Sequence, residues 1–204
     1  MRNDDILFWK IDWHRAVIAQ KTGIEEHVLE MGQDALQVDC LEDIASDLCR
    51  RFSLVPPTLH LDQVEVSQKE VDVEASSRRR SFNFEYTQPV YKRGTEVTIR
   101  LPFTGDEGMF QLKPTTFTMD IPRGRVIGGS VYHQISGISL DKKRLNDALY
   151  YWLKSIEEWI GFQHQSVGKY LEELRDYAMQ CLRARKAKLE ADNDLISGLG
   201  YKTA

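Results

Sequence analysis

The sequence is short of most features that mark a specialised class. It has three cysteines, Cys40, Cys49 and Cys181, in 204 residues, too few and too scattered for a disulfide scaffold or a zinc site. No apolar run approaches the roughly 20 residues of a membrane span. The opening Met1-Arg2-Asn3-Asp4-Asp5 carries two acids, unlike a secretory or mitochondrial leader. Neither sign of charge dominates: 27 lysines and arginines face 31 acids, a formal charge of -4. That balance argues against a general nucleic-acid coat, while leaving room for a local basic patch. The remainder is 42% hydrophobic and 28% charged, enough for a buried core and too apolar for a disordered tail. The expectation is a soluble cytoplasmic protein of one medium domain, or one domain with an appendage.

Along the chain the hydrophobic period changes twice. Ile24, Val28, Leu29 and Met31 suggest a short helix. Asp39 is placed to cap a second, whose apolar residues Leu41, Ile44, Ala45, Leu48, Cys49 and Phe52 share one face, with Asp43, Asp47 and Arg50 outside it. Pro56-Pro57 ends it. From Thr58 to about Ile138 the period becomes two: Phe82, Phe84 and Tyr86, then Val97, Ile99 and Leu101, then Phe117, Met119 and Ile121. Val126-Ile127-Gly128-Gly129-Ser130-Val131 reads as a hairpin, its glycines suiting a tight primed turn. Lys92-Arg93-Gly94 and Gly105-Asp106 read as further turns, and the polar stretch Glu65 to Ser81 as a solvated linker. Together these predict an antiparallel sheet of four to six strands on which the Leu41–Phe52 helix packs.

The C-terminal third carries an eleven-residue repeat. Leu145, Ile156, Val167, Ala178 and Leu189 lie on one track, Leu149, Ile160, Leu171 and Leu182 on a second, and Ala148, Trp159, Tyr170 and Cys181 on a third. A fourth track, Trp152, Gln163, Leu174 and Arg185, is mixed. Eleven residues over three turns is close to the natural helical period, so the stripe stays in phase with almost no supercoiling. One continuous helix of roughly 75 Å satisfies it, as does a hairpin broken near Gly161 to Gly168; the unbroken phase favours the continuous form. Near its start Lys142, Lys143 and Arg144 oppose the helix dipole, and Asp141 or Asp147 is placed to compensate.

No catalytic signature is present: no Gly-rich phosphate loop, nucleophile elbow or His-Glu-x-x-His. The five histidines are far apart, none pairs with a cysteine at ligand spacing, and no metal or cofactor is implied. His133, between Val131 and Ile135, reads as a satisfied core or interface histidine. Trp152, Trp159, Tyr150 and Tyr151 read as packing residues before a base-stacking platform. Arg78, Arg79, Arg80, Arg123 and Arg125 are the candidates for anion binding.

The stretch Leu101-Pro102-Phe103-Thr104-Gly105-Asp106, with Phe110, Pro114-Thr115-Thr116-Phe117 and Pro122-Arg123, resembles a pattern in uncharacterised bacterial proteins encoded beside Toll/interleukin-1-receptor-like and other defence-type genes. The tail, Arg185-Lys186-Ala187-Lys188-Leu189 with Leu195 and Leu199-Gly200, is similar to the same group's C-terminus. The group's usual ending, a glycine followed by a small residue and a proline, is replaced here by Gly200-Tyr201-Lys202. The resemblance spans roughly residues 97 to 201, implies an accessory role in a multi-gene system, and carries no active-site residue.

The sequence thus predicts an α+β protein: a body over residues 1–138, with an antiparallel sheet and an N-terminal helix, then a long helical segment over 139–204. Two functions follow. One is a non-catalytic interaction or accessory protein that self-associates or binds an effector through its C-terminal helix, by Leu145, Leu149, Trp152, Ile156, Trp159, Ile160, Leu171 and Leu174. A body of about 140 residues is some 35 Å across, too short to cover the whole stripe, so a homo-oligomer is expected. The alternative is a nucleic-acid or nucleotide binder using the local arginine patches. Catalytic activity is left open by sequence alone, with the absence of a signature pointing away from it.

Overall fold

The computed structural model describes residues 6–36, 40–75 and 90–198, the side chain of Ile196 aside. Its elements are β1 (Ile11–Asp12), α1 (Trp13–Leu29), α2 (Gln33–Leu36), α3 (Leu41–Phe52), β2 (Thr58–Leu59) and β3 (Glu65–Glu74). There follow β4 (Tyr91–Thr104), β5 (Leu112–Lys113), β6 (Arg125–Ile127), β7 (Ser130–Gly137) and α4 (Lys142–Gly198). The fold is α+β, with an antiparallel sheet and a long C-terminal helix. The expected cap Asp39, the Phe82-Phe84-Tyr86 alternation and Arg78 to Arg80 lie outside the described residues.

By internal packing the chain forms two compact units, each assembled from separated segments. The first comprises Met1–Lys10, Pro56–Gln111 and Phe117–Gly161; the second comprises Ile11–Val55, Leu112–Thr116 and Phe162–Ala204. The partition at residue 138 follows element type, whereas packing draws its lines elsewhere.

In the first unit, β4 is the spine of the sheet. It pairs antiparallel with β2 and β3 on one side and with β7 on the other, and β7 pairs in turn with β6. The expected hairpin forms: Ile127 stands opposite Ser130, and Gly128 and Gly129 hold φ of 55° and 71°, the left-handed values a primed turn needs. Gly94, in contrast, makes no turn. It lies inside β4 opposite Val71, and a Cβ there would sit 2.6 Å from the Gly137 carbonyl oxygen and 2.7 Å from Val73 Cγ2. Its glycine allows a close strand approach instead. The supposed linker from Glu65 is also corrected: Glu65 to Glu74 is the ten-residue strand β3, polar because most of it is solvent-facing.

The Phe117-Met119-Ile121 alternation forms no strand. Its backbone serves α4 instead. The Asp120 carbonyl accepts from Trp159 Nε1 at 2.9 Å and from Ser155 Oγ at 3.3 Å. Phe117 lies against Trp9 and Trp159, and Met119 points to solvent at 84% exposure. Beneath the sheet the core is aromatic: Phe8 lies against Phe110 and stacks on Trp159, with Phe103 on Phe110 at 4.7 Å. Trp152, Ile156, Trp159 and Ile160 of α4 are buried with Val97, Ile99, Leu101 and Val131.

The second unit is helical. The expected short helix is in fact α1, 17 residues long and capped by Asp12, whose carboxylate accepts from His14 N at 2.9 Å. The face expected of α3 is the face found: Ala45 and Leu48 are buried, Leu41, Ile44 and Phe52 half-buried, and Asp43, Asp47 and Arg50 exposed. Its packing partner is α1, where Phe52 meets His27, in place of the expected sheet. Leu112 and Lys113 pair in parallel with Ile11 and Asp12.

Between Lys142 and Gly198, α4 runs without a break at Gly161 or Gly168. Asp141 compensates its basic first turn: Oδ1 accepts from Arg144 N at 2.8 Å, and Oδ2 lies 3.5 Å from Arg144 Nε. The mixed fourth track proves the most deeply set. Trp152, Gln163 and Leu174 are 6%, 0% and 0% exposed. Its polar members tie the helix down: Gln163 Nε2 donates to the Leu112 carbonyl at 3.0 Å, and Arg185 donates twice to the Met31 carbonyl. A buried polar group is tolerated when its hydrogen bonds are made.

Candidate functional site

The stripe expected to bind a second copy is largely used inside the chain. Trp152, Ile156, Trp159, Ile160 and Leu174 are buried, Leu145 and Leu149 are half-buried, and Leu171 is 39% exposed. The reason lies in the partition of the chain. Trp152, Ile156, Trp159 and Ile160 belong to the sheet's unit, while residues 162–198, Leu174 among them, pack in the same unit as residues 11–55, reckoned from sequence with the sheet. The argument from excess helix length therefore falls, and those five side chains offer no apolar strip to a partner.

The sheet carries a different feature. Register places Val97, Ile99 and Leu101 of β4 opposite Ile135, His133 and Val131 of β7, on the face that builds the core. The alternate residues share the other face: Glu96, Thr98 and Arg100 stand opposite Ser136, Gln134 and Tyr132. Arg125 on β6 stands opposite Tyr132, and Glu65 on β3 opposite Arg100. A row Arg125–Tyr132–Arg100–Glu65 thus crosses four strands, placing an aromatic ring between two guanidinium groups.

Hydrogen bonds and ion pairs organise this face. Arg100 Nη1 lies 2.9 Å from Glu65 Oε2, and Arg100 Nε donates to Ser130 Oγ at 3.1 Å. The Glu65 carboxylate, and after it Tyr132, hold the Arg100 pKa above even its ordinary value. Glu96 is joined by Lys69 Nζ at 2.8 Å and by Gln134 Nε2 at 3.2 Å. A cleft of about 460 Å³ lies alongside, lined by Arg123, Arg125, Tyr132, Gln134, Thr98 and Glu96 among others. That volume is in the range of small-molecule sites.

The segment Arg123-Gly124-Arg125 forms one wall. Gly124 is buried, and a Cβ there would lie 2.9 Å from Val131 Cγ1 and 3.1 Å from the Tyr132 carbonyl oxygen. Glycine therefore lets the segment lie against β7 with an arginine on either side. The Arg123 carbonyl accepts from Trp152 Nε1 at 2.7 Å and bonds the His133 ring. His133 also stacks on Trp152, and burial pushes its pKa below the ordinary 6.5. The imidazole is neutral near pH 7.

Of the five candidate anion ligands, Arg123 and Arg125 meet on this cleft, both exposed, while Arg78, Arg79 and Arg80 lie outside the described residues. Tyr132, Arg100, Gln134 and Glu96 were missed from sequence. Their signal was the polar half of the strand alternation, which reads as solvent-facing until register sets the strands side by side. Elsewhere, burial raises the Cys49 and Cys181 thiol pKa values, away from thiolate character. Among the described residues no cluster of three or more His, Cys, Asp or Glu is arranged to hold a metal ion, and no helix is long and apolar enough to cross a membrane. No family model, curated protein or solved structure matches this chain.

Proposed function

We propose that this chain is a non-catalytic binding protein that recognises an anionic ligand on the polar face of its sheet, at the wall formed by Arg123, Gly124 and Arg125. The observation that carries this reading is the convergence of two arginines, singled out for their sequence context, with Tyr132 and Gln134 on one cleft. Guanidinium groups suit anion recognition because their donors form a planar fork matched to carboxylate and phosphate oxygens. The test is an amide chemical-shift titration of the full chain with pyrophosphate and with mixed nucleotides at low salt. Shifts concentrated in residues 123–125 and 130–136, reversed by added salt, are expected. No shift at millimolar anion would sink the proposal.

A second reading keeps the C-terminal helix as an interaction surface in an accessory protein of a bacterial defence-type system, in the cytoplasm. What favours it is the pair Tyr150 and Tyr151, 61% and 66% exposed with rings 5.6 Å apart, beside half-buried Leu145 and Leu149. Tyrosine is enriched in protein interfaces because it offers large contact area at small entropic cost. Light scattering separates self-association from effector binding. A dimer mass that reverts to monomer in a Tyr150→Ser/Tyr151→Ser variant supports self-association. A monomer throughout, with no partner in a host pull-down that the variant loses, removes this reading.

A further inference from the structure

Resting on the self-association form of the second reading above, we infer that two copies of this chain pair through one outward face of α4. The two helices run antiparallel about a two-fold axis that passes between Tyr150 and Tyr151. The face consists of Lys143, Asp147, Tyr150, Tyr151, Lys154 and Glu158. All six are exposed, and all belong to the sheet's unit. By helical periodicity they fall within an arc of about 100°. Trp152, Ile156 and Trp159, which are buried, lie on the opposite side of the helix.

The order of charge along this face points to a second copy as the partner. Read from Lys143, the face runs plus, minus, Tyr, Tyr, plus, minus. Read from Glu158, it runs minus, plus, Tyr, Tyr, minus, plus. One copy set against another in reverse therefore meets its complement at every position. Lys143 meets Glu158, Asp147 meets Lys154, and Tyr150 meets Tyr151. Two-fold symmetry makes each of these contacts twice. The tyrosines occupy the centre and the charges the rim, which is how protein interfaces are commonly built.

Other pairings of the same face fail on charge. A parallel pair in register sets Lys143 on Lys143 and Asp147 on Asp147. An antiparallel pair slid by one turn sets Lys143 against Lys154 in one direction and Asp147 against Glu158 in the other. Like charges in contact oppose association. The charges are also available to a partner: among the described residues, Lys143, Asp147, Lys154 and Glu158 enter no ion pair. Lys143 stands four residues before Asp147, and Lys154 four before Glu158. A lysine that precedes its acid is the weaker order for a pair within one helix.

The face is short, about 22 Å from Lys143 to Glu158, and buries less than the roughly 1,200 Å² of a standard interface. The dimer should therefore be weak, reversible and loosened by salt. Sedimentation equilibrium of the full chain, from micromolar to millimolar concentration at low ionic strength, tests this. A concentration-dependent dimer is expected. Asp147→Lys should weaken it roughly tenfold, because symmetry turns two attractive pairs repulsive at once. Asp147→Lys/Lys154→Asp should restore it by rebuilding both pairs, a recovery that a misfolded chain would not show. Carbodiimide cross-linking of mixed isotope-labelled and unlabelled copies should join Lys154 to Asp147 and Lys143 to Glu158 between copies. A dimer indifferent to Asp147→Lys, not restored by the double exchange, or cross-linked through other residues overturns this pairing and leaves self-association standing. A monomer at every concentration overturns the pairing and self-association together, and leaves the helix reading only its effector form.

Discussion

His133 lies flat on Trp152, ring centroids 4.9 Å apart and planes 12° from parallel, and both side chains bond the carbonyl of Arg123. A buried indole and a half-buried imidazole thus hold the backbone of the arginine at the rim of the cleft. The link ties the rim of the cleft to Trp152, a residue of the core.

A pH dependence follows from this pair. Burial lowers the folded pKa of His133 below the ordinary 6.5, so the unfolded chain binds the proton more readily than the folded one. The contribution of His133 to stability is full above about pH 6.5 and declines as pH falls through the folded value. Chemical denaturation of the native chain and of His133→Phe, between pH 5 and 8, checks it. The native chain should lose stability on acidification relative to the variant, while parallel curves would show that His133 carries no linkage. In the same assay Trp152→Phe should cost about 1–3 kcal/mol at neutral pH, the range for stranding a buried partner.

Gly94→Ala should destabilise the sheet. The new methyl would meet a backbone oxygen at 2.6 Å and a valine methyl at 2.7 Å, and the oxygen can move only with its strand. Overpacking of this kind costs about 1–3 kcal/mol. Thermal denaturation should show a lower midpoint and hydrogen exchange a loss of protection near Gly137. An unchanged midpoint would argue that position 94 is a loop.

Tyr170→Phe should stabilise the second unit. Tyr170 is 3% exposed, lies edge-on to Trp13, and its hydroxyl has no hydrogen-bond partner among the described residues. An orphaned buried hydroxyl is unfavourable, so its removal is expected to add about 1 kcal/mol. Denaturant titration measures the gain. A loss of similar size would mean that the hydroxyl has a polar partner.

Much of this architecture was legible because its signals are local. The Gly128-Gly129 turn, the apolar face of α3 and the unbroken phase of α4 each depend on residues within a few turns or pleats of one another. The failures share the opposite property. Gly94 looks like turn chemistry until its neighbour Gly137 is known, and Phe117 to Ile121 alternates although its Asp120 carbonyl serves Trp159, 39 residues away. The stripe on α4 was recognised, but the cover of its half beyond Phe162 was not, because Ile11–Val55 precedes that half by over a hundred residues. The cleft was half legible: the arginines stood out by charge, whereas Tyr132 and Gln134 acquire meaning from register alone.

The two-residue turn at Gly128-Gly129 works as a parity switch. Side chains on a strand alternate, so inserting a single residue there would exchange the two faces of β6 relative to β7. Arg125 would then turn toward the core and Val126 toward the cleft. An insertion of two residues would restore the original parity, at the expense of a longer and looser connection. Whether a guanidinium faces cleft or core is thus decided by an even or odd number of residues at a loop that does not itself line the cleft.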